Sequence, residues 1–185
     1  MSINPCHSRS ALAAVILLTA LQASGATIIR REAAGALFET RDTSGCIVTR
    51  VDIAGLREYI TGSTERAPAS SLAETFISRR NECTGVELIR ASESGEQTVT
   101  YTPNTLNRAF LDGTFNLYDY VTSQLYVVQV HLVWEGEGKI TQTETDTQTH
   151  TIRDARATGT LLLNGENLTP GDSVSAAIER IRIRD

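Results

Sequence analysis

The chain has 185 residues and a formal net charge of −5, and 41% of its residues are hydrophobic but only 5% are aromatic. This length and composition suit one globular domain with a buried core. Because the balance is acidic and no basic run stands out, nucleic acid is not an expected partner. The scarcity of aromatic residues argues against a large aromatic-lined groove.

The N-terminus has the pattern of a secretory signal peptide. Residues 11–23 form an apolar segment, and Ala23 and Gly25 stand at the −3 and −1 positions of a small-residue cleavage site. We therefore predict a signal peptide over residues 1–25 and a mature chain over residues 26–185. The alternative is an uncleaved anchor, but a helix over the apolar segment spans only about 20 Å, less than the ~30 Å hydrocarbon core. Export to the periplasm, the cell envelope or the medium is expected, without stable membrane insertion after cleavage.

Two cysteines, Cys46 and Cys83, remain after this cleavage. Exported proteins fold under oxidising conditions, so a disulfide between them is predicted. A loop of this length would gain roughly 4 kcal/mol of stability from the bond in the chain-entropy model. Two free buried thiols are the alternative.

Apolar and polar residues alternate along most of the mature sequence. Residues 125–135 have one wholly apolar face and one mixed face, which is typical of an antiparallel strand with one side on a core. Further strands are predicted at 47–53, 74–78, 98–102, 114–121, 158–163 and 177–183. Turn residues separate these segments, and Asn164-Gly165 is a two-residue hairpin signal.

Short strands at such regular intervals indicate an all-β fold, and we predict a single antiparallel β-sandwich domain over residues 26–185. Residues 56–60 and 105–111 each suggest a helical turn, and residues 59–72 suggest a long loop.

An internal duplication into two halves is an open alternative. Residues 47–53 are followed by a Thr-Gly-x-x-Leu element beginning at Thr84, and residues 127–132 are followed by the same element beginning at Thr158.

The sequence contains no recognisable catalytic, cofactor-binding or metal-binding constellation. His131 and His150 are the only histidines of the mature chain, and no G-x-S-x-G motif is present. His131 and Glu135 share a strand face, but four residues separate them by about 13 Å, too far to hold one metal ion. No cofactor is expected. Four residues are kept as candidates for a ligand-binding surface: His131, Trp134, Glu135 and His150.

Two polar segments are open to structural or functional interpretation. The C-terminal residues 178–185 alternate apolar and charged side chains, which predicts an edge strand protected by arginines; a patch for a small anion is the alternative. Threonine occupies every second position of residues 141–151. On one extended strand these six threonines would form a ladder of roughly 34 Å, but both faces of the segment are polar, so we predict a solvated arm between two core strands.

Three short motifs give the chain a family resemblance. These are Val-x-Val-x-Leu-x-Trp-x-Gly-x-Gly at 128–138, Asn-Glu-Cys-Thr-Gly at 81–85 and Asn-Leu-Thr-Pro at 167–170. With them the chain resembles a loose group of exported bacterial all-β proteins of unknown function. The resemblance implies export and a β fold, and it carries no activity.

The function that these features favour is a non-catalytic exported module that binds a glycan, a surface or another protein. The alternative is an exported hydrolase with an unrecognised acid or His–acid site.

Overall fold

The computed structural model describes residues 28–60, 70–93, 98–169 and 171–183, and every helix or strand assigned in them is a β-strand. The strands are β1 (Ile28–Arg41), β2 (Ile47–Ile60), β3 (Ser70–Asn81), β4 (Val86–Glu93), β5 (Thr98–Asn104), β6 (Arg108–Asp119), β7 (Gln124–Glu144), β8 (Gln148–Leu163), β9 (Glu166–Asn167) and β10 (Ser175–Ile183). The predicted signal peptide and residues 61–69 of the predicted long loop lie outside the described residues. Within those residues, no helix has the length and apolar character needed to cross a membrane.

All ten strands belong to one antiparallel sheet that closes on itself. The neighbours run in the order β10-β1-β2-β3-β4-β6-β7-β8-β9, and β10 also pairs with β8, which joins the two ends. Strand β5 continues the line of β4 along the same side of β6. The predicted all-β antiparallel fold is confirmed, and the structure adds that its opposing sides are parts of one continuous sheet.

The inward face of the sheet forms a single apolar core because the strands alternate. Its largest fully buried side chains include Trp134, Phe38, Phe115 and Leu132, which come from β7, β1, β6 and β7. The indole Nε1 of Trp134 donates a hydrogen bond of 3.0 Å to the Gly35 carbonyl on β1, which ties opposite sides of the molecule together. A buried tryptophan normally needs such a partner for its N–H.

Strand β5 packs its Tyr101 against the inner side of β2. The Tyr101 ring lies over Gly55 so closely that a Cβ at this position would come within 2.3 Å of the ring. Gly55 is therefore required by a close approach of two strands.

The disulfide Cys46–Cys83 is present, with a Cα–Cα distance of 5.3 Å. It links the β1–β2 turn to the β3–β4 turn at one end of the sheet. The bond is compatible with an oxidising extracellular or periplasmic location.

The structure agrees with the seven predicted strand positions and corrects several others. The Asn164-Gly165 hairpin forms between β8 and β9, with both residues at positive φ (51° and 87°). Strands β1 and β4 were not predicted. The helical turn expected at 56–60 is the end of β2, and the one expected at 105–111 is a turn followed by β6.

The sequence likeness behind the internal duplication does not correspond to a repeated local structure. Thr84 lies in the turn between β3 and β4, whereas Thr158 lies inside β8.

The threonine row forms the end of the long β7–β8 hairpin, as a polar arm that turns at residues 145–147. The turn divides the threonines between two faces. Thr143 pairs with His150 on the outer face, while Gln142 pairs with Thr151 on the inner face. A single ladder of six threonines is therefore not formed. The arm lies between two core segments as predicted, but its β8 side is also paired with β10.

Candidate anion-binding site

Trp134 is not a ligand-surface residue, which corrects the prediction from sequence. Its side chain is fully buried in the core. The strand that carries it alternates as predicted, and the even positions of β7 face inward. Trp134 stabilises the fold and is out of reach of a ligand at the surface.

His131 and Glu135 lie on the outer face of β7, where each has a partner on β6. His131 Nδ1 contacts the Asp112 carboxylate, and Glu135 Oε1 lies 3.8 Å from Arg108 Nη2. The imidazole and the Asp112 side chain are 63% and 55% exposed. Catalytic His–acid pairs are typically desolvated to tune their pKa, so this exposure does not favour the hydrolase alternative.

His150 forms a second His–acid pair, far from the first. Its Nε2 lies 2.9 Å from Glu179 Oε2 on β10. His131 pairs with Thr160 in the register of β7 and β8. Ten residues of β8 separate Thr160 from His150, which corresponds to about 33 Å. The structure therefore does not bring the two histidines into one site.

A different group of residues forms a continuous polar band across five strands. It lies on the inner face of the sheet at the arm end, and we call it the inner strip. Two neighbouring cross-strand rows make it up, running over β7, β8, β10, β1 and β2: Glu144, Thr149, Arg182, Arg30 and Tyr59, then Gln142, Thr151, Arg180, Glu32 and Arg57.

The local sequence of three strands explains why the strip forms at this level. The inward positions of β1 read Phe, Ala, Ala, Glu, Arg from position 38 to 30, and those of β10 read Ala, Ile, Arg, Arg from position 176 to 182. Strand β2 changes likewise from Val51 and Ile53, past Gly55, to Arg57 and Tyr59. Because the register aligns the three changes, the core ends in one polar layer.

Strand β10 is not the protected edge strand that the sequence predicted. It pairs with β1 on one side and with β8 on the other, so both of its edges are satisfied. Arg180 and Arg182 consequently belong to the inner strip. The alternative interpretation of this segment, a patch for a small anion, is the one that its position favours.

Glu32 is the central carboxylate of the strip. Its side chain is only 8% exposed, and Arg180 binds it through Nε and Nη2 at 2.8 and 2.7 Å. The Tyr59 hydroxyl donates to its other oxygen at 3.3 Å. Arg30 Nε lies 3.7 Å from Glu32, too far for a hydrogen bond. Glu32 is therefore a single buried carboxylate beside three arginines, because Arg57 is its cross-strand neighbour on β2.

Tyr59 holds two of these arginines through its ring. The guanidinium carbon of Arg30 lies 4.0 Å from the ring centroid, and that of Arg57 lies 6.0 Å from it. Such cation–π contacts fix the guanidinium groups without neutralising their charge. Among the described residues, no carboxylate forms an ion pair with Arg57 or Arg182.

Four buried side-chain polar atoms have no hydrogen-bond partner among the described residues: Nε of Arg30, Nε of Arg57 and the hydroxyl groups of Tyr101 and Thr75. The two arginine Nε donors belong to the inner strip, where Arg57 pairs with Glu32 and Arg30 lies in the neighbouring cross-strand row. Tyr101 is fully buried, and its pKa is raised by that burial first and then by the negative charge of Glu32. The Tyr101 ring lies over Gly55, the inward residue of β2 that precedes Arg57 on the same face. Buried donors without acceptors are costly, and an anionic oxygen is an acceptor that arginine N–H groups bind strongly.

No family model matches the chain, and neither a curated protein nor a solved structure matches it. The resemblance to exported bacterial β proteins therefore stays a prediction, and the function has to be argued from the strip itself.

Proposed function

We propose that the protein is an exported, non-catalytic binding module and that the inner strip holds an anionic group of its ligand. The observation that carries the proposal is the pair of buried arginine Nε donors without acceptors, Arg30 and Arg57, in a strip with an excess of positive charge. Four arginines face two carboxylates in the strip, although the whole chain is acidic. Arginine is well suited to this role because its planar fork binds carboxylate and phosphate in a bidentate manner.

Export rests on two observations that support each other. The sequence predicts a leader over residues 1–25, and the disulfide suits an oxidising compartment. Mass spectrometry of the protein purified from its native host tests this part: we expect a mature N-terminus at Ala26. An intact N-terminus in a cytoplasmic fraction would contradict it.

Isothermal titration calorimetry with inorganic phosphate at low ionic strength tests the binding part. Arg57→Gln removes one unneutralised donor, so the affinity should fall by about tenfold or more, because a hydrogen bond to a charged group contributes about 1.5–3 kcal/mol. Arg50→Gln is the matched control, since it removes the same charge from the outer face of the same strand. Equal losses in both variants, or no saturable binding to the wild type, would overturn the proposal.

A further inference from the structure

We propose that the natural ligand is an anionic carbohydrate chain, laid across the inner strip from β2 to the arm. The inference rests on the proposed function and specifies its ligand. It is carried by the dimensions of the strip, by the order of its side chains and by the pairing of the strands beneath it.

The strip is larger than one small anion needs. It crosses five strands, so its path along the curved inner face is about 19 Å at ~4.8 Å per strand, and its two rows lie about 7 Å apart along the strands. The buried donors without acceptors in the strip, those of Arg30 and Arg57, lie only on its β1–β2 side. A phosphate ion held there would leave the β8–β7 side uncontacted.

The chemistry of the strip changes along its width. The β1–β2 side carries Arg30, Arg57 and Tyr59. The β8–β7 side carries Thr149, Thr151, Gln142 and one carboxylate, Glu144, which accepts a hydrogen bond of 2.9 Å from the Gln142 amide. Hydroxyl and amide groups both donate and accept hydrogen bonds, as sugar hydroxyl groups require. An acidic sugar chain presents carboxylate or sulfate groups for the arginines and hydroxyl groups for the arm, so it matches both parts.

The pairing of the strands disfavours an extended peptide as the ligand. Peptides are often recognised by adding a strand to an open sheet edge. Beneath the strip, β1 is paired with β10 and β2, and β10 is paired with β1 and β8. A ligand in the middle of the strip therefore meets only side chains.

The test compares five probes by calorimetry on the full mature chain. They are tetragalacturonate, its methyl ester, monomeric galacturonate, a sulfated tetrasaccharide as a second acidic sugar chain, and hexaglutamate. We expect one of the acidic tetrasaccharides to bind at least about tenfold more tightly than the monomer, because additional contacts are made along the strip. Methyl esterification should abolish the binding of tetragalacturonate if that is the tetrasaccharide bound.

Thr151→Val probes the arm side, since it removes a hydroxyl but keeps the β-branched shape. We expect it to weaken the bound tetrasaccharide severalfold and to leave phosphate binding unchanged. Thr143→Val, on the outer face of the same arm, is the matched control and should change neither.

The outcomes separate this inference from the proposed function. Phosphate binding that depends on Arg57, without any gain from a longer sugar chain, overturns the carbohydrate assignment and leaves the anion site standing. Tighter binding of hexaglutamate than of both tetrasaccharides also overturns it. Absence of binding for phosphate and all the acidic probes overturns both proposals.

Discussion

Two arginine clusters at opposite ends of the sheet differ in charge balance and in burial. At the disulfide end, Arg41 and Arg50 face Glu39 and Glu82 on the outer surface, and Arg41 binds both carboxylates, at 3.2 and 2.9 Å. Arg50 binds Glu39 at 2.9 Å and lies 3.8 Å from Glu82. This cluster contains two arginines and two carboxylates, and both arginine side chains are nearly half exposed.

At the arm end, the arginines outnumber their carboxylate partners and point inward. Arg180 satisfies Glu32, whereas Arg30 and Arg57 keep buried Nε donors without acceptors. An exposed and balanced network adds little to stability and is found on many protein surfaces. Partly buried donors without acceptors are costly unless an acceptor binds there. The cluster at the disulfide end is therefore ordinary surface, whereas the inner strip is a candidate site.

The largest expected effect comes from breaking the disulfide end. Replacing both Cys46 and Cys83 with Ser should lower the free energy of unfolding by about 4 kcal/mol, because the cross-link no longer restricts the unfolded chain. Urea denaturation measures this loss. Phosphate affinity, measured well below the unfolding midpoint, should be unchanged, and a matching loss of affinity would show that the two ends are not independent.

Glu32→Gln removes the central negative charge of the inner strip at the arm end. Removing the central carboxylate leaves Arg180 without its partner, and we expect a loss of about 2–3 kcal/mol, below the range for a fully buried pair because Arg180 is partly exposed. Phosphate affinity should rise, since the bound anion would replace the missing charge, and phosphate should restore part of the stability. Glu39→Gln in the balanced cluster should not raise the phosphate affinity, and phosphate should not stabilise this variant. Unchanged or weaker phosphate binding by Glu32→Gln would contradict the proposed role of the strip.

Gly55→Ala tests the close approach of the Tyr101 ring to β2 next to the strip. A Cβ here would meet the Tyr101 ring at 2.3 Å, so the ring has to shift. Overpacking of this kind costs about 1–3 kcal/mol, and a shift of the ring beside Gly55, which precedes Arg57 on the inner face of β2, should also weaken phosphate binding. Thermal unfolding and calorimetry on the same sample measure both effects. A variant as stable as the wild type would show that this strand approach does not position the site.

The smallest effect is expected from the pH dependence of the balanced cluster. Hydrogen bonding to Arg50 lowers the pKa of Glu39 from its ordinary value of 4.5, with further contributions from the charges of Arg50 and Arg41. The folded pKa lies below the unfolded one, so this contribution is present at neutral pH and is lost as the pH falls from about 4.5 through the lowered pKa. The stability difference between wild type and Glu39→Gln should be below about 1 kcal/mol at pH 7 and vanish once the pH falls below the lowered pKa of Glu39. A difference that grows in acid would contradict this sign.

Alternation predicts the apolar part of this fold well and fails where the inner face is polar. Residues 125–135 show clean alternation because every inward position, Trp134 included, is apolar. Alternation does not reveal strand β1 because its inward positions change to Glu32 and Arg30, and the end of β2 resembles a helical turn because its inward residues, Arg57 and Tyr59, are polar. Strand β1 and the end of β2 thus contribute to the strip, whereas β4, which alternation also fails to predict, lies outside it.

The site could not be assembled from the sequence because its members come from five strands. Register alone brings Arg180 opposite Glu32, although 148 positions separate them. A local signal did exist in the alternating arginines of residues 178–184. It was assigned to an edge strand because nothing in the sequence shows that β10 closes the sheet.

The most direct test of the central claim is NMR observation of the arginine Nε–Hε groups during a phosphate titration. We expect the signals of Arg30 and Arg57 to shift in a saturable manner, with those of Arg41 and Arg50 nearly unchanged, because only the first pair has buried donors without acceptors. Shifts that are equal in all four arginines, or larger at Arg41 and Arg50, would contradict the assignment of the inner strip as an anion-binding site.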